Sequence, residues 1–190
     1  MMLPSWIGVY TQMSALEAGS EPIRLLASQD GYYEIRTTPI GTFRVKREDL
    51  TLESCTEGMT LAVPRMPAEL LAALIDRFRV AMPDEYLLNV YWNPDREGFE
   101  VEAPPQEASE AHVITRDATD SYDPKRPRLL QVHSHATFSA VFSATDNADE
   151  QATGCYGVIG NLDHPIPTMA WRFACAGRHV PLATGDLFVL

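Results

Sequence analysis

Val132-His133-Ser134-His135 runs through the seven residues 136–142 into Ser143-Ala144-Thr145-Asp146. Leu129-Leu130-Gln131 leads into it as an apolar, strand-like approach. Side chains alternate across a strand, so two histidines two apart project from the same face and can reach one metal ion. The spacer is long enough to turn the chain and return Asp146 as a third donor. Two neutral imidazoles and a carboxylate leave one tetrahedral position of Zn²⁺ open to water, the arrangement of a catalytic rather than a structural zinc.

The same letters have a plainer reading. A His-x-His pair in a half-buried strand can be structural, and S-x-x-D is also a helix capping box with Ser143 or Thr145 as N-cap. Each half alone is unremarkable; their joint spacing favours a metal site with His133, His135 and Asp146 as ligands.

H-x-H followed at this distance by S-x-x-D resembles the signature of the JAMM (MPN+) zinc metalloproteases, and more narrowly their PRTRC-system branch, encoded in bacteria beside a ThiF/E1-like protein. The likeness covers roughly residues 66 to 180. It implies an α/β fold, JAMM-like and akin to cytidine deaminases, in which a mixed, curved β-sheet is sandwiched by helices. It also implies a zinc cofactor, an upstream glutamate as general base, and hydrolysis of a peptide or isopeptide bond at the C-terminal tail of a ubiquitin-like protein, with an E1-like partner in the system. One departure is visible: many members carry Pro after the second histidine, whereas this chain has Ala136. That change is expected to alter the loop more than the ligands.

The upstream glutamate is sought where a helix hands over to a core strand. Pro67 opens a helix whose Leu70, Leu71, Leu74, Ile75, Phe78 and Met82 recur at helical spacing, and Pro83 ends it. Asp84-Glu85 then leads into the apolar strand 86–92, closed by a turn over residues 93–98. By the resemblance, Glu85 is the candidate base; composition alone leaves Asp84, Glu97, Glu100 and Glu102 as competitors. Ser143 is expected to donate a hydrogen bond to the substrate carbonyl, unless it is only the cap. Asp149 and Glu150 read as solvated acids suited to a helix start.

The rest of the chain bounds the answer. With 190 residues and 45% hydrophobic content, one core can be buried, as one domain or one domain with an appendage; the resemblance implies a JAMM-like metalloprotease domain at 65–190 after a β-rich N-terminal extension at 1–64. Residues 1–30 read as irregular, and 32–36 with 42–46 as a hairpin turning at Gly41. Strands are expected at 99–101 and 111–115 around a loop at 104–107, then a polar loop at 117–128 that could rim a substrate groove. A buried strand at 154–160, a hairpin 169–174/178–182 through Ala176-Gly177, and an edge strand at 186–190 complete the pattern. The glycines of 154–160 are wrongly placed for a phosphate cradle. A formal charge of −11 without basic runs argues against direct nucleic-acid binding. The N-terminus shows neither a secretory signal nor a membrane span, so a cytoplasmic protein is expected. Three cysteines, Cys55, Cys155 and Cys175, form no C-x-x-C pair; Cys155 and Cys175 read as packed small side chains. His112, His164 and His179 lack ligand spacing. Outside catalysis, the alternative is a silent binding module or scaffold for a ubiquitin-like or E1-like partner.

Overall fold

The computed structural model describes residues 7–48, 56–109, 112–115, 123 and 125–190. Cys55, Ala111, residues 1–6, and residues 117–122 and 124 of the polar loop lie outside them, as does the side chain of His112. The chain divides into two compact units, Met1–Thr56 and Glu57–Leu190.

The first unit contains β1 (Ile7–Tyr10), α1 (Met13–Ala18), β2 (Ile23–Ser28), β3 (Gly31–Thr38) and β4 (Gly41–Lys46), in a four-stranded sheet of order β1-β2-β3-β4. The hairpin at 32–46 forms as expected. The irregular reading of residues 1–30 is corrected, because two strands and a helix lie within it. Arg24 hid the β2 pattern: it occupies an inward position beside Leu26, where its guanidinium donates to the carbonyls of Leu16 (2.8 Å) and Gly19 (3.2 Å) at the end of α1. An arginine that satisfies helix-end carbonyls looks, in sequence, like an interruption of the apolar alternation.

The second unit holds β5 (Met66–Pro67), α2 (Ala68–Ala81), β6 (Leu87–Asn93), β7 (Gly98–Glu102), β8 (Gln106–Ser109), β9 (His112–Thr115), β10 (Arg128–Ser134), α3 (Ala144–Asp149), β11 (Gly154–Gly160), β12 (Thr168–Cys175), β13 (Arg178–Leu182), α4 (Thr184–Leu187) and β14 (Phe188–Val189). Six strands form one sheet of order β13-β12-β11-β10-β6-β7. It is mixed: β10 and β11 are parallel, joined by a crossover through α3, and the other neighbours are antiparallel. The α/β class expected from the sequence is the class observed.

Strand alternation gives this sheet two unlike faces. Leu88, Val90, Leu130, Val132, Cys155, Ile159 and Trp171 point to one side and pack with Leu71, Leu74 and Phe78 of α2. Each Leu, Val, Ile or Phe among them, fully buried, contributes about 1.5–3 kcal/mol. The intervening residues are Asn89, Gln131, His133, Tyr156, Val158 and Arg172, paired across the ladders. This second face is polar at its centre and carries α3. Cys155 therefore packs on the α2 side, away from His133; burial pushes its thiol up to about 11, so it is no thiolate nucleophile at neutral pH.

Several local expectations change. Gln106 and Glu107, read as loop, belong to β8. Gln106 reaches back to the backbone of Leu87 with both ends of its amide, at 2.8 and 3.0 Å, a long-range anchor that no local signal announces. Asp186 and Leu187 lie in α4, and only Phe188–Val189 pair as a strand, parallel to Met66–Pro67. Cys175 is exposed rather than packed, because it ends β12 where the hairpin turns through Ala176 (φ 52°) and Gly177 (φ 75°). Among the described residues, no helix is long and apolar enough to cross a membrane.

Gly160 fixes the loop that joins the two halves of the motif. A Cβ there would stand 2.1 Å from the Phe138 carbonyl oxygen and 2.7 Å from the Ala140 nitrogen, both backbone atoms that have no rotamer to yield. The same loop is hydrogen-bonded to β11 and its exit through His135 N to Ile159 O (2.9 Å), Asn161 N to Phe138 O (2.7 Å) and Leu162 N to Ala136 O (2.9 Å). Gly160→Ala is expected to destabilise the fold by about 1–3 kcal/mol, measured by urea unfolding. A stability equal to that of the native chain would show that the loop is free to move.

Candidate metal centre

β10 ends at Ser134, which is held by two hydrogen bonds to Tyr86 at the entrance to β6. Ser134 N donates to Tyr86 O at 2.9 Å, and Ser134 Oγ accepts from Tyr86 N at 2.9 Å. His133 is buried and His135 half-buried, and their Nε2 atoms stand 3.2 Å apart. His135 Nδ1 lies 3.3 Å from the Ser139 carbonyl oxygen. A carbonyl only accepts, so this contact is a hydrogen bond in the tautomer with the proton on Nδ1, the one that leaves Nε2 a lone pair for a cation. Ala136, next in the chain, has φ 42°. Proline is locked near −65° and cannot adopt that conformation, which accounts for the departure at this position while leaving the histidines in place.

Asp146 is the third member. Ser143 is the N-cap of α3, and a full capping box forms: Ser143 Oγ accepts from Asp146 N at 3.1 Å, and Asp146 Oδ2 accepts from Ser143 N at 2.5 Å. The other carboxylate oxygen, Oδ1, faces His133 Nε2 at 3.4 Å. The capping and ligand readings of S-x-x-D are thus compatible, because a carboxylate has two oxygens. One donor atom from each of His133, His135 and Asp146 lies within 4.8 Å of the others.

Glu85 sits just before β6 and is 7% exposed. β6 and β10 pair antiparallel with Leu87 opposite His133, and the Ser134–Tyr86 bonds continue that pairing. Glu85, two residues before β6, therefore lies at the end of the sheet where β10 delivers its histidines. Its competitors lie elsewhere. Asp84 is exposed; Glu100 and Glu102 on β7 are bound by Arg126 at 2.9 and 2.7 Å; Glu97 lies in the exposed turn after β6.

Glu150 is not a solvated cap: it is 6% exposed, its carboxylate 2.7 Å from Nε and 2.6 Å from Nη2 of Arg172, which is itself 6% exposed. The available signal was one arginine amid the apolar run Met169-Ala170-Trp171-Arg172-Phe173-Ala174. Asp149 is exposed, as read. His164 lies beside Asp163, and His179 Nε2 contacts Glu150 O at 3.1 Å; neither joins the cluster.

Electrostatics suits the donors to a cation. Burial pushes the His133 imidazole down to about 4, outweighing the pull of Asp146, so it is neutral at physiological pH. For Asp146, burial would raise the carboxyl, but the Ser143 backbone N–H and the neighbouring His133 more than offset this and hold it below its ordinary value. A stability test follows. In the metal-free chain, as pH falls from 6.5, the ordinary His value, to about 4, the unfolded state takes up a proton that folded His133 refuses. Stability is therefore present above that window and lost through it, by about 3 kcal/mol for a shift of this size. His133→Gln should flatten that slope in chelator-treated protein; an unchanged slope would assign it to other groups.

The geometry now stands beside known proteins. Residues 56–174 match the family model described as prokaryotic homologs of the JAB domain. No curated protein matches the chain. Among solved structures, the solution structure of protein DSY2949 from Desulfitobacterium hafniense is similar at 15% identity and a TM-score of 0.42, covering 65% of this chain and 90% of that one. The family match spans more than half of the sequence and takes in Glu85, both histidines of the H-x-H pair, Ser143 and Asp146, so the chain belongs to the prokaryotic JAB-domain family.

Proposed function

We propose that the chain is a zinc-dependent hydrolase of peptide or isopeptide bonds, acting at the C-terminal tail of a ubiquitin-like protein in a system with an E1-like partner. The observation that carries this reading is the convergence of His133, His135 and Asp146 with a buried glutamate at the same end of the sheet. The donor set fits the ion. At zinc bond lengths of about 2.0–2.2 Å, tetrahedral ligand atoms stand roughly 3.3–3.6 Å apart, against the observed 3.2 Å between imidazole nitrogens and 3.4 Å from imidazole to carboxylate. Bound there, Zn²⁺ would supply a Lewis acid that brings the pKa of a coordinated water near 7.

The chain's own groups then divide the work. His133, His135 and Asp146 hold the ion. Glu85 accepts the proton as water oxygen bonds to the scissile carbonyl carbon, and delivers it to the departing nitrogen as the C–N bond breaks. Ser143 uses a lone pair, not its proton, in the cap, so its O–H is available to the carbonyl oxygen as charge develops. On this account Ser143→Ala lowers stability by about 1 kcal/mol through the lost cap and slows turnover by about 10²-fold or more. Turnover within twofold of native would reduce Ser143 to the cap alone.

The reading is tested by metal analysis of the purified chain, followed by incubation with a ubiquitin-like protein carrying a C-terminal peptide extension, with products weighed by mass spectrometry. About one zinc per chain and release of the extension are expected. A fully loaded protein that binds the fusion without cutting it points to the silent binding module; a chain that takes up no zinc ends the hydrolase reading.

A further inference from the structure

α3 is an unusual support for a ligand. It has six residues, and none of them is buried, so no apolar stripe holds it to the sheet; isolated helices below about 12–15 residues are marginal in water. Yet it carries Asp146. A guanidinium from β12 ties it to the sheet. Arg172 Nη1 donates to Asn147 Oδ1 at 2.5 Å, its Nε donates to Glu150 Oε2 at 2.7 Å, and its Cζ lies 3.7 Å from the ring centre of Phe142. These three contacts bracket the motif: Phe142 immediately precedes the N-cap Ser143, Asn147 immediately follows Asp146, and Glu150 closes the helix by donating its N–H to Asp146 O at 2.9 Å. His179 of β13 adds a contact to Glu150 O.

Arg172 stands on the same sheet face as His133, through the ladder pairs His133–Val158, Val158–Ala170 and Tyr156–Arg172. The scaffold that presents the histidines thus also holds the helix that presents the carboxylate. A buried ion pair is weak support for stability as such, since apolar residues of similar volume often serve as well or better. Its planar, forked geometry is suited to fixing direction.

We propose that Arg172, with Glu150, is a positioning residue that sets the Asp146 carboxylate against the two imidazoles, so that the third ligand is held by polar contacts rather than by core packing. This rests on the metal reading above, and the test separates the two. The probe is Co²⁺ alone, whose visible absorption reports coordination, with affinity read by chelator competition and folding by thermal melts. Removing Arg172 singly would strand Glu150, so the informative variant is the pair Arg172→Met with Glu150→Leu, which keeps volume and strands no charge. It should melt near the native temperature while binding Co²⁺ roughly 10- to 100-fold more weakly, the usual effect of losing outer support around a metal, with an altered spectrum. Native affinity and spectrum in a folded double variant overturn the proposal. Should that variant fail to fold, Asn147→Ala, at an exposed position, decides the matter: a several-fold loss of Co²⁺ affinity at native stability supports the clamp, and native affinity overturns it. A native chain that binds no Co²⁺ instead removes the metal reading itself, and the clamp with it.

Discussion

Glu85→Gln is expected to yield a chain that retains zinc at the native level and hydrolyses its substrate at least about 10²-fold more slowly, up to 10⁴-fold, the range that a positioned general base contributes. The expectation rests on place. Glu85 is buried at 7% exposure, just before β6, at the end of the sheet where Leu87 pairs with His133. It is not among the three converging donors, so metal content should survive. Glutamine keeps the size and one acceptor oxygen of the side chain while removing its ability to take up a proton. Zinc content by mass spectrometry and single-turnover cleavage settle it together. Native turnover would move the base to another residue; loss of zinc along with turnover would make Glu85 part of the metal's support.

The second large effect is expected at the ligands. Asp146→Asn keeps an oxygen to accept from Ser143 N, so α3 retains its cap, but the site loses its anionic donor. In the absence of metal, its stability should lie within about 1 kcal/mol of native, the size of a cap. In the presence of zinc the two should part. A ligand at 100 times its dissociation constant stabilises the native state by about 2.7 kcal/mol, so the native chain should melt higher with added zinc while Asp146→Asn and His133→Ala do not. Both variants should also fall from about one zinc per chain to a small fraction and lose turnover. An equal zinc-induced rise in the melting temperature of native and variant chains would place the ion elsewhere.

Parts of this molecule were open to sequence reasoning because their causes are local. The period of Leu70, Leu71, Leu74, Ile75 and Phe78 specifies a helix with one apolar face, and α2 forms there between Pro67 and Pro83. The H-x-H spacing specifies two imidazoles on one strand face. Other parts were hidden because their causes are distant in the chain. Arg24 in β2 and Arg172 in β12 look like breaks in apolar runs until the carbonyls and carboxylate that receive them are in view. Glu150 looked solvated for the same reason, its partner lying 22 residues away. Gln106 looked like loop because its partner, the Leu87 backbone, is 19 residues away.

Residue order by itself determined which side chains have the chemistry to bind a cation, and that two of them share a strand face. It also determined that the segment from Ser143 begins a helix, because alternation and capping act over a few neighbouring residues. Only the tertiary structure decided that one oxygen of Asp146 caps the helix while the other turns to His133. It also decided that Glu85, alone of its acidic competitors, is buried at the histidines' end of the sheet, and that α3 is held by Arg172. Those outcomes depend on strand pairing between segments tens of residues apart, and on the loss of water from groups that the chain order leaves equally polar.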